Sequence, residues 1–249
     1  MLSFEYTLSY AEGSDEKPVT IQLPDKTRVS FVGAVDRIDT FVKDGITYVR
    51  VVDYKTGSKV FSLADLYYGI NMQMLLYIFA VTDPDAPLNE GKYHEALPAG
   101  VLYMHANDNV PSLGRDPTED EKLSYEKKGC KMDGIVIADA EIAGAMENGL
   151  SGTFIPVKIK NDGDFYSNSS VITEDQIAAL RKYSAEILTE TAMSIKNGEI
   201  EADPLWNGNV SPCSYCDYSS VCGNFPNIIH RDYDPEAAEK MSAKLDDII

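Results

Sequence analysis

A chain of 249 residues, 44% hydrophobic and 25% charged, has the length and make-up of a folded protein with a sizeable core, which excludes disorder as its main state. A net charge of −18 repels phosphate and argues against a free-standing nucleic-acid clamp; carboxylates that hold a divalent cation invert the local field, so phosphodiester chemistry stays open. The longest clean apolar run, Met74 to Val81, is too short to span a bilayer, and the opening MLSFEYTLSYAEGSDE lacks a basic segment followed by an apolar one, so neither a membrane span nor a signal peptide is expected.

The first fifty-odd residues read as strands. Phe4, Tyr6, Leu8 and Tyr10 alternate with polar neighbours, Val19 to Leu23 forms a shorter piece, and Arg28 to Phe41 and Ile46 to Tyr54 flank Lys43-Asp44-Gly45. Asp-Gly between two β-rich runs signals a hairpin. The period then changes to three and four residues at Leu63, Leu66, Ile70, Met74 and Tyr77, after the capping pattern at Ser62, which predicts one helix from about Leu63 to Val81. Gly100 to Ala106 reads as a buried strand, 107–131 as an exposed excursion, and Asp139 to Asn148 as a short helix stopped by Gly149. Phe154 to Lys160, Asp162-Gly163 and Phe165 onward suggest a second hairpin. Thr173-x-x-Gln176 caps a long helix that Gly198 ends, and the acidic tail from Pro235 is helical in pattern. Two regions are expected: a core at 1–198 and a cysteine-containing segment with an acidic tail at 199–249.

Chemistry concentrates on the hairpin. Side chains alternate along a strand, so Asp53 and Lys55 in Val51-Val52-Asp53-Tyr54-Lys55-Thr56-Gly57 project from one face. The register implied by the Asp44-Gly45 turn brings Asp36, in Gly33-Ala34-Val35-Asp36-Arg37-Ile38-Asp39, to the same end of the sheet. Two carboxylates among β-branched residues make a hard oxygen site for Mg²⁺ or Mn²⁺, and a lysine two residues on can stabilise charge at a phosphoryl oxygen. Gln73 and Tyr77, four residues apart on one helix face, interrupt apolar sequence and should point toward something polar. Asp39, of opposite parity to Asp36, reads as a salt-bridge partner; Glu5 reads as an exposed strand residue, and Glu119-Asp120-Glu121 as solvated loop.

Taken together, GAVDRID, VVDYKTG and QMLLY resemble the three core motifs of RecB-type nucleases in the PD-(D/E)XK superfamily. Cys213, Cys216 and Cys222, in C-x2-C-x5-C spacing, extend the resemblance to the C-terminal nuclease domain of the B-type chain of AddAB-type helicase-nucleases. That resemblance implies an α+β, restriction-endonuclease-like core: a mixed central sheet whose antiparallel hairpin carries the site, flanked by the Leu63 and Glu174 helices. It implies metal held by Asp36, Asp53 and the backbone carbonyl of Tyr54, a catalytic Lys55, and supporting roles for Gln73 and Tyr77. The implied activity is Mg²⁺-dependent DNA hydrolysis, exonucleolytic and in the cytoplasm, within a helicase-nuclease that repairs double-strand breaks with an A-type subunit as partner.

The same resemblance makes Cys213, Cys216 and Cys222 three of four ligands to a [4Fe–4S] cluster. The family's fourth cysteine lies upstream of the nuclease core, and no cysteine precedes Cys130 here. The cluster is therefore expected in the full-length context and not in this chain by itself. The family's histidine before the first strand has no counterpart, because His94, His105 and His230 all follow the core motifs. Two alternatives remain: a catalytically silent, nuclease-like interaction module with a structural iron–sulfur or zinc segment, and a Cas4-like nuclease.

Overall fold

The computed structural model describes residues 2–8, 19–57, 60–83, 95–106, 117–206, 212–222 and 230–248. In chain order these form β1 (Leu2–Leu8), β2 (Val19–Gln22), β3 (Arg28–Phe31), β4 (Gly33–Lys43), β5 (Ile46–Lys55), α1 (Leu63–Tyr67), α2 (Gln73–Thr82) and β6 (Ala96–His105). There follow α3 (Glu119–Gly129), β7 (Asp133–Ile137), α4 (Ala140–Met146), β8 (Val171–Ile172), α5 (Glu174–Asn197), β9 (Leu205–Trp206), a 3-10 turn at Pro212–Tyr215, α6 (Ser219–Cys222), β10 (Arg231–Asp232) and α7 (Ala237–Ile248).

The fold is α+β, as the sequence predicts. A six-stranded mixed sheet runs in the order β1-β4-β5-β6-β7-β8, with β5–β6 and β7–β8 parallel and the remaining pairs antiparallel. The β4–β5 connection is the expected tight turn: Asp44 and Gly45 have φ of 53° and 85°, the double positive φ that matches the strands' twist. β5 is buried on both faces. Val49 and Val51 join one core with Leu66, Met74, Ile78 and Leu180 from the helices, whereas Tyr48 and Val52 join a second with Ile142, Leu150 and Ile155. Met241 and Leu245 of α7 are buried in the first of these cores, so the acidic tail returns to the sheet's helical face.

Three local expectations change. The helix expected over 63–81 is two helices: α1 ends at Tyr67, Gly69 and Asn71 turn the chain with φ of 70° and 60°, and α2 starts at Gln73. The apolar spacing carries through because both pieces face one core, while Ile70 in the break is 38% exposed. Within the expected excursion, residues 107–116 lie outside the described residues, but α3 is an ordered helix with a full Thr118–Glu121 capping box. Glu119, Asp120 and Glu121 form its first turn, where the dipole favours acids, and are not loop. The second hairpin reduces to the isolated bridges Ser151–Lys158 and Ile159–Phe165, because the 151–157 stretch is organised by a side chain.

That side chain is Glu147, a buried carboxylate. It accepts hydrogen bonds from Ser151 Oγ (2.7 Å) and the N–H groups of Thr153 (3.0 Å), Phe154 (2.8 Å) and Ile155 (2.9 Å). Burial acts to raise its pKa, but the bonds from Ser151 and the three backbone amides outweigh it and hold the carboxyl below the usual Glu range. A depressed folded pKa means that the stabilisation is present above the unfolded value and is lost as pH falls through the folded one. Glu147→Gln, which turns an amide NH₂ toward N–H donors, should cost about 2–3 kcal/mol at neutral pH in urea unfolding. The gap to wild type should narrow as pH drops below the ordinary 4.5 of a glutamate.

Candidate active site

The last paired residues of the β4–β5 ladder at the site end are Arg37 and Val52. One further step of that register sets Asp36 across from Asp53. Opposed residues of an antiparallel pair share a face, with Cβ atoms about 4.5–5.5 Å apart. Here the ladder gives way to a side chain: the Tyr54 N–H donates to Asp36 Oδ2 at 2.8 Å. The main-chain amide of Tyr54 thus holds the Asp36 carboxylate at the end of the hairpin.

Asp53 is 3% exposed, and Lys55 Nζ lies 2.5 Å from its Oδ2. That contact lacks hydrogen-bond directionality, so Oδ2 is fully buried with no hydrogen-bond donor among the described residues. A buried carboxylate oxygen without a donor is costly, and a cation removes the cost. Mg²⁺ is commonly bound by one or two carboxylates with water and phosphate in its remaining positions. The Asp36–Asp53 pair fits that requirement, although no three His, Cys, Asp or Glu side chains gather as a metal-holding group among the described residues.

Sequence reasoning missed Tyr103, visible there only as part of a buried strand. It stands beside Asp53 in the β5–β6 register, and the Lys55 ammonium lies 6.0 Å from its ring centroid. Burial first, then the charges of Asp53, Asp133 and Asp65, push its phenol up to about 12, so it stays neutral. Asp133, next to Tyr103 on β7, accepts the Phe61 N–H and ties the segment after β5 to the sheet. On the opposite parity, Asp39 accepts from Arg37 Nε at 2.8 Å and from Arg50, the salt-bridge role expected of it.

Gln73 and Tyr77 come together as a pair, with Gln73 Nε2 donating to Tyr77 Oη at 2.7 Å. Gln73 is exposed, not buried, because it opens α2 instead of sitting within a longer helix. Neither side chain hydrogen-bonds to Asp36, Asp53 or Lys55. Their link to the site is steric: Tyr77 lies over Gly33, three residues before Asp36, and a Cβ there would be 2.7 Å from Tyr77 Oη.

The cysteines are not gathered into a ligand set. Cys213 is half-buried in the 3-10 turn, Cys216 and Cys222 are exposed, and Cys130 caps α3 far along the chain. His105 Nδ1 lies 3.0 Å from the Gly57 carbonyl and His230 Nε2 is 3.2 Å from Asp232, whereas His94 falls outside the described residues.

Comparison with known proteins shows the family. The family model of the PD-(D/E)XK nuclease superfamily matches residues 2–223. The chain belongs to the PD-(D/E)XK nuclease superfamily. It is also similar to the B-type subunit of the ATP-dependent helicase/deoxyribonuclease of Clostridium kluyveri, with 34% identity over 250 residues, covering 96% of this chain and 22% of that protein. The like-named subunits of Clostridium tetani and a Thermoanaerobacter species are 33% and 32% identical, each over 87% of this chain and 19% of theirs. The chain thus spans about a fifth of the length of the curated relatives it matches. No helix among its described residues is long and apolar enough to cross a membrane.

In this nuclease core the Gly33–Tyr77 contact should be measurable as coupling. Gly33→Ala should destabilise by about 1–3 kcal/mol in an otherwise wild-type chain. In a Tyr77→Phe background, where the nearest remaining ring atom would be 3.3 Å away, the cost should be clearly smaller. A double-mutant cycle in urea reads the difference, and strict additivity would refute the contact.

Proposed function

We propose that the chain hydrolyses DNA phosphodiesters with a divalent cation held by Asp36 and Asp53, Mg²⁺ or Mn²⁺ by the hardness of the donors. The observations that carry this reading are the Asp36 carboxylate held by the Tyr54 N–H at the end of the β4–β5 hairpin and Lys55 against the donorless oxygen of Asp53. When bound, the cation supplies Lewis-acid polarisation of the phosphate and acidifies the attacking water. Tyr54 keeps Asp36 aimed through its N–H, and its carbonyl adds a third oxygen in this reading. The Lys55 ammonium, held at the site by Asp53, would stabilise the negative charge that grows on the phosphoryl oxygen in the transition state. Tyr103, held neutral, adds no charge that would repel the phosphate. Gln73 and Tyr77 fix α2 over the start of β4 and face the DNA backbone.

The names of the relatives support placing this nuclease in a helicase-nuclease that acts on DNA. We read it as an exonuclease of double-strand-break repair in the cytoplasm, partnered by an A-type subunit that extends the DNA path. Cys213, Cys216 and Cys222 become cluster ligands in this reading only when a fourth ligand comes from outside the chain. Anaerobic reconstitution should then give the broad visible absorption of an iron–sulfur cluster for the longer protein and little for this chain.

Asp53→Ala should abolish Mg²⁺-dependent cleavage of linear DNA, and Lys55→Ala should lower kcat by about 10²–10³-fold, both with unchanged far-UV circular dichroism. Cleavage at wild-type rates by folded Asp53→Ala protein would end the assignment.

A further inference from the structure

Lys43, Lys55, Lys122, Lys196 and Lys240 all lie within ion-pair distance of a carboxylate, as a chain with 40 acids and 22 bases leads one to expect. Lys127, Lys128 and Lys131, at the C-terminal end of α3, have no carboxylate within that distance among the described residues. All three line one groove of about 510 Å³ between α3 and the loop at Gly152 and Thr153, with Asp120 at its rim. Beside the groove the aliphatic stem of Lys158 lies against Gly152, whose positive φ of 73° and missing Cβ let it approach. Three lysines with no ion-pair partner among the described residues therefore line one groove of a strongly acidic protein. An anion seated between them relieves their mutual repulsion.

The groove is also rigid and well placed. Glu147 fixes the loop through Thr153, Phe154 and Ile155, and the Phe154 carbonyl accepts the Met132 N–H at 2.8 Å, joining the loop to the end of α3. Lys131 stands two residues before Asp133, which pairs with Tyr103, which in turn stands beside Asp53. Two strand spacings separate Asp133 from Asp53, about 10 Å. The loop packs with α4 on the sheet face opposite α1 and α2, so a strand leaving the site reaches the groove by crossing the C-terminal ends of β5 and β6.

We propose that this groove binds the phosphate backbone of the DNA strand whose scissile phosphate lies at Asp36 and Asp53. The proposal rests on the nuclease reading of that site. It assigns Lys127, Lys128 and Lys131 to substrate holding, apart from the chemical step. α3 buries none of its side chains, so its lysines can be changed without disturbing a core.

The test uses the full chain with Lys127→Gln, Lys128→Gln and Lys131→Gln together, and a control carrying Lys26→Gln, Lys182→Gln and Lys244→Gln, which removes equal charge elsewhere. Binding of a fluorescent single-stranded oligonucleotide in EDTA is followed by anisotropy, and cleavage is measured separately with Mg²⁺. Three lost phosphate contacts should flatten the salt dependence by about 2 in log–log slope. Between about 50 and 200 mM salt, wild-type affinity should then fall roughly 20-fold more than that of the groove variant. KM for DNA should rise at low salt with kcat unchanged, and the control should behave as wild type. Equal salt slopes in the groove variant and wild type, equal losses in both triple variants, or no salt-dependent binding by wild type would each overturn the groove. A wild-type chain that binds through these lysines yet never cleaves would keep the groove and remove the nuclease reading instead.

Discussion

The site depends on one register. A two-residue turn at Asp44-Gly45 sets the pairing of β4 with β5, and that pairing alone decides whether Asp36 and Asp53 share a face. A slip of one residue would send one carboxylate to the opposite side of the sheet and separate the donor pair. The turn is at the far end of the hairpin from the carboxylates, so several ladder pairs carry its geometry to the site. Where the ladder stops, the Tyr54 amide bonds the Asp36 carboxylate and converts the end of a strand into a fixed oxygen donor.

Two buried carboxylates show opposite uses of one chemical group. Glu147 receives four hydrogen bonds and acts as the internal scaffold of a loop that has almost no regular pairing of its own. Asp53 is as deeply buried but has an oxygen with no donor, offset only by a neighbouring ammonium. A saturated carboxylate holds structure; an unsaturated one is poised for a cation. The neighbouring Tyr103 follows the same electrostatics, its proton retained by burial and by surrounding negative charge.

Much of this was legible along the chain. Alternation exposed β4 and β5, the Asp-Gly turn joined them, and capping patterns at Thr173 and Gly198 bounded α5 to the residue. Asp36, Asp53 and Lys55 stood out because strand parity and turn register are local properties. The α1–α2 break was not legible, since Leu66, Ile70 and Met74 keep helical spacing across two segments that cover one core. The exposure of Gln73 followed from that break. α3 was masked by its own polarity: no residue of it is buried, so it has no apolar stripe to read, and only the Thr118–Glu121 box marks it.

The sequence by itself determined the hairpin, its carboxylates and lysine, and the caps of the long helix, because each arises from residues a few positions apart. Only the tertiary structure decided that β6 inserts beside β5 and brings Tyr103 to Asp53, that Glu147 closes on a loop, and that the lysines at the end of α3 meet the Gly152 loop in one groove. Those contacts join segments whose separation along the chain carries no periodic or turn signal. They are set by which faces must leave water together, and that is a property of the whole sheet and its two cores.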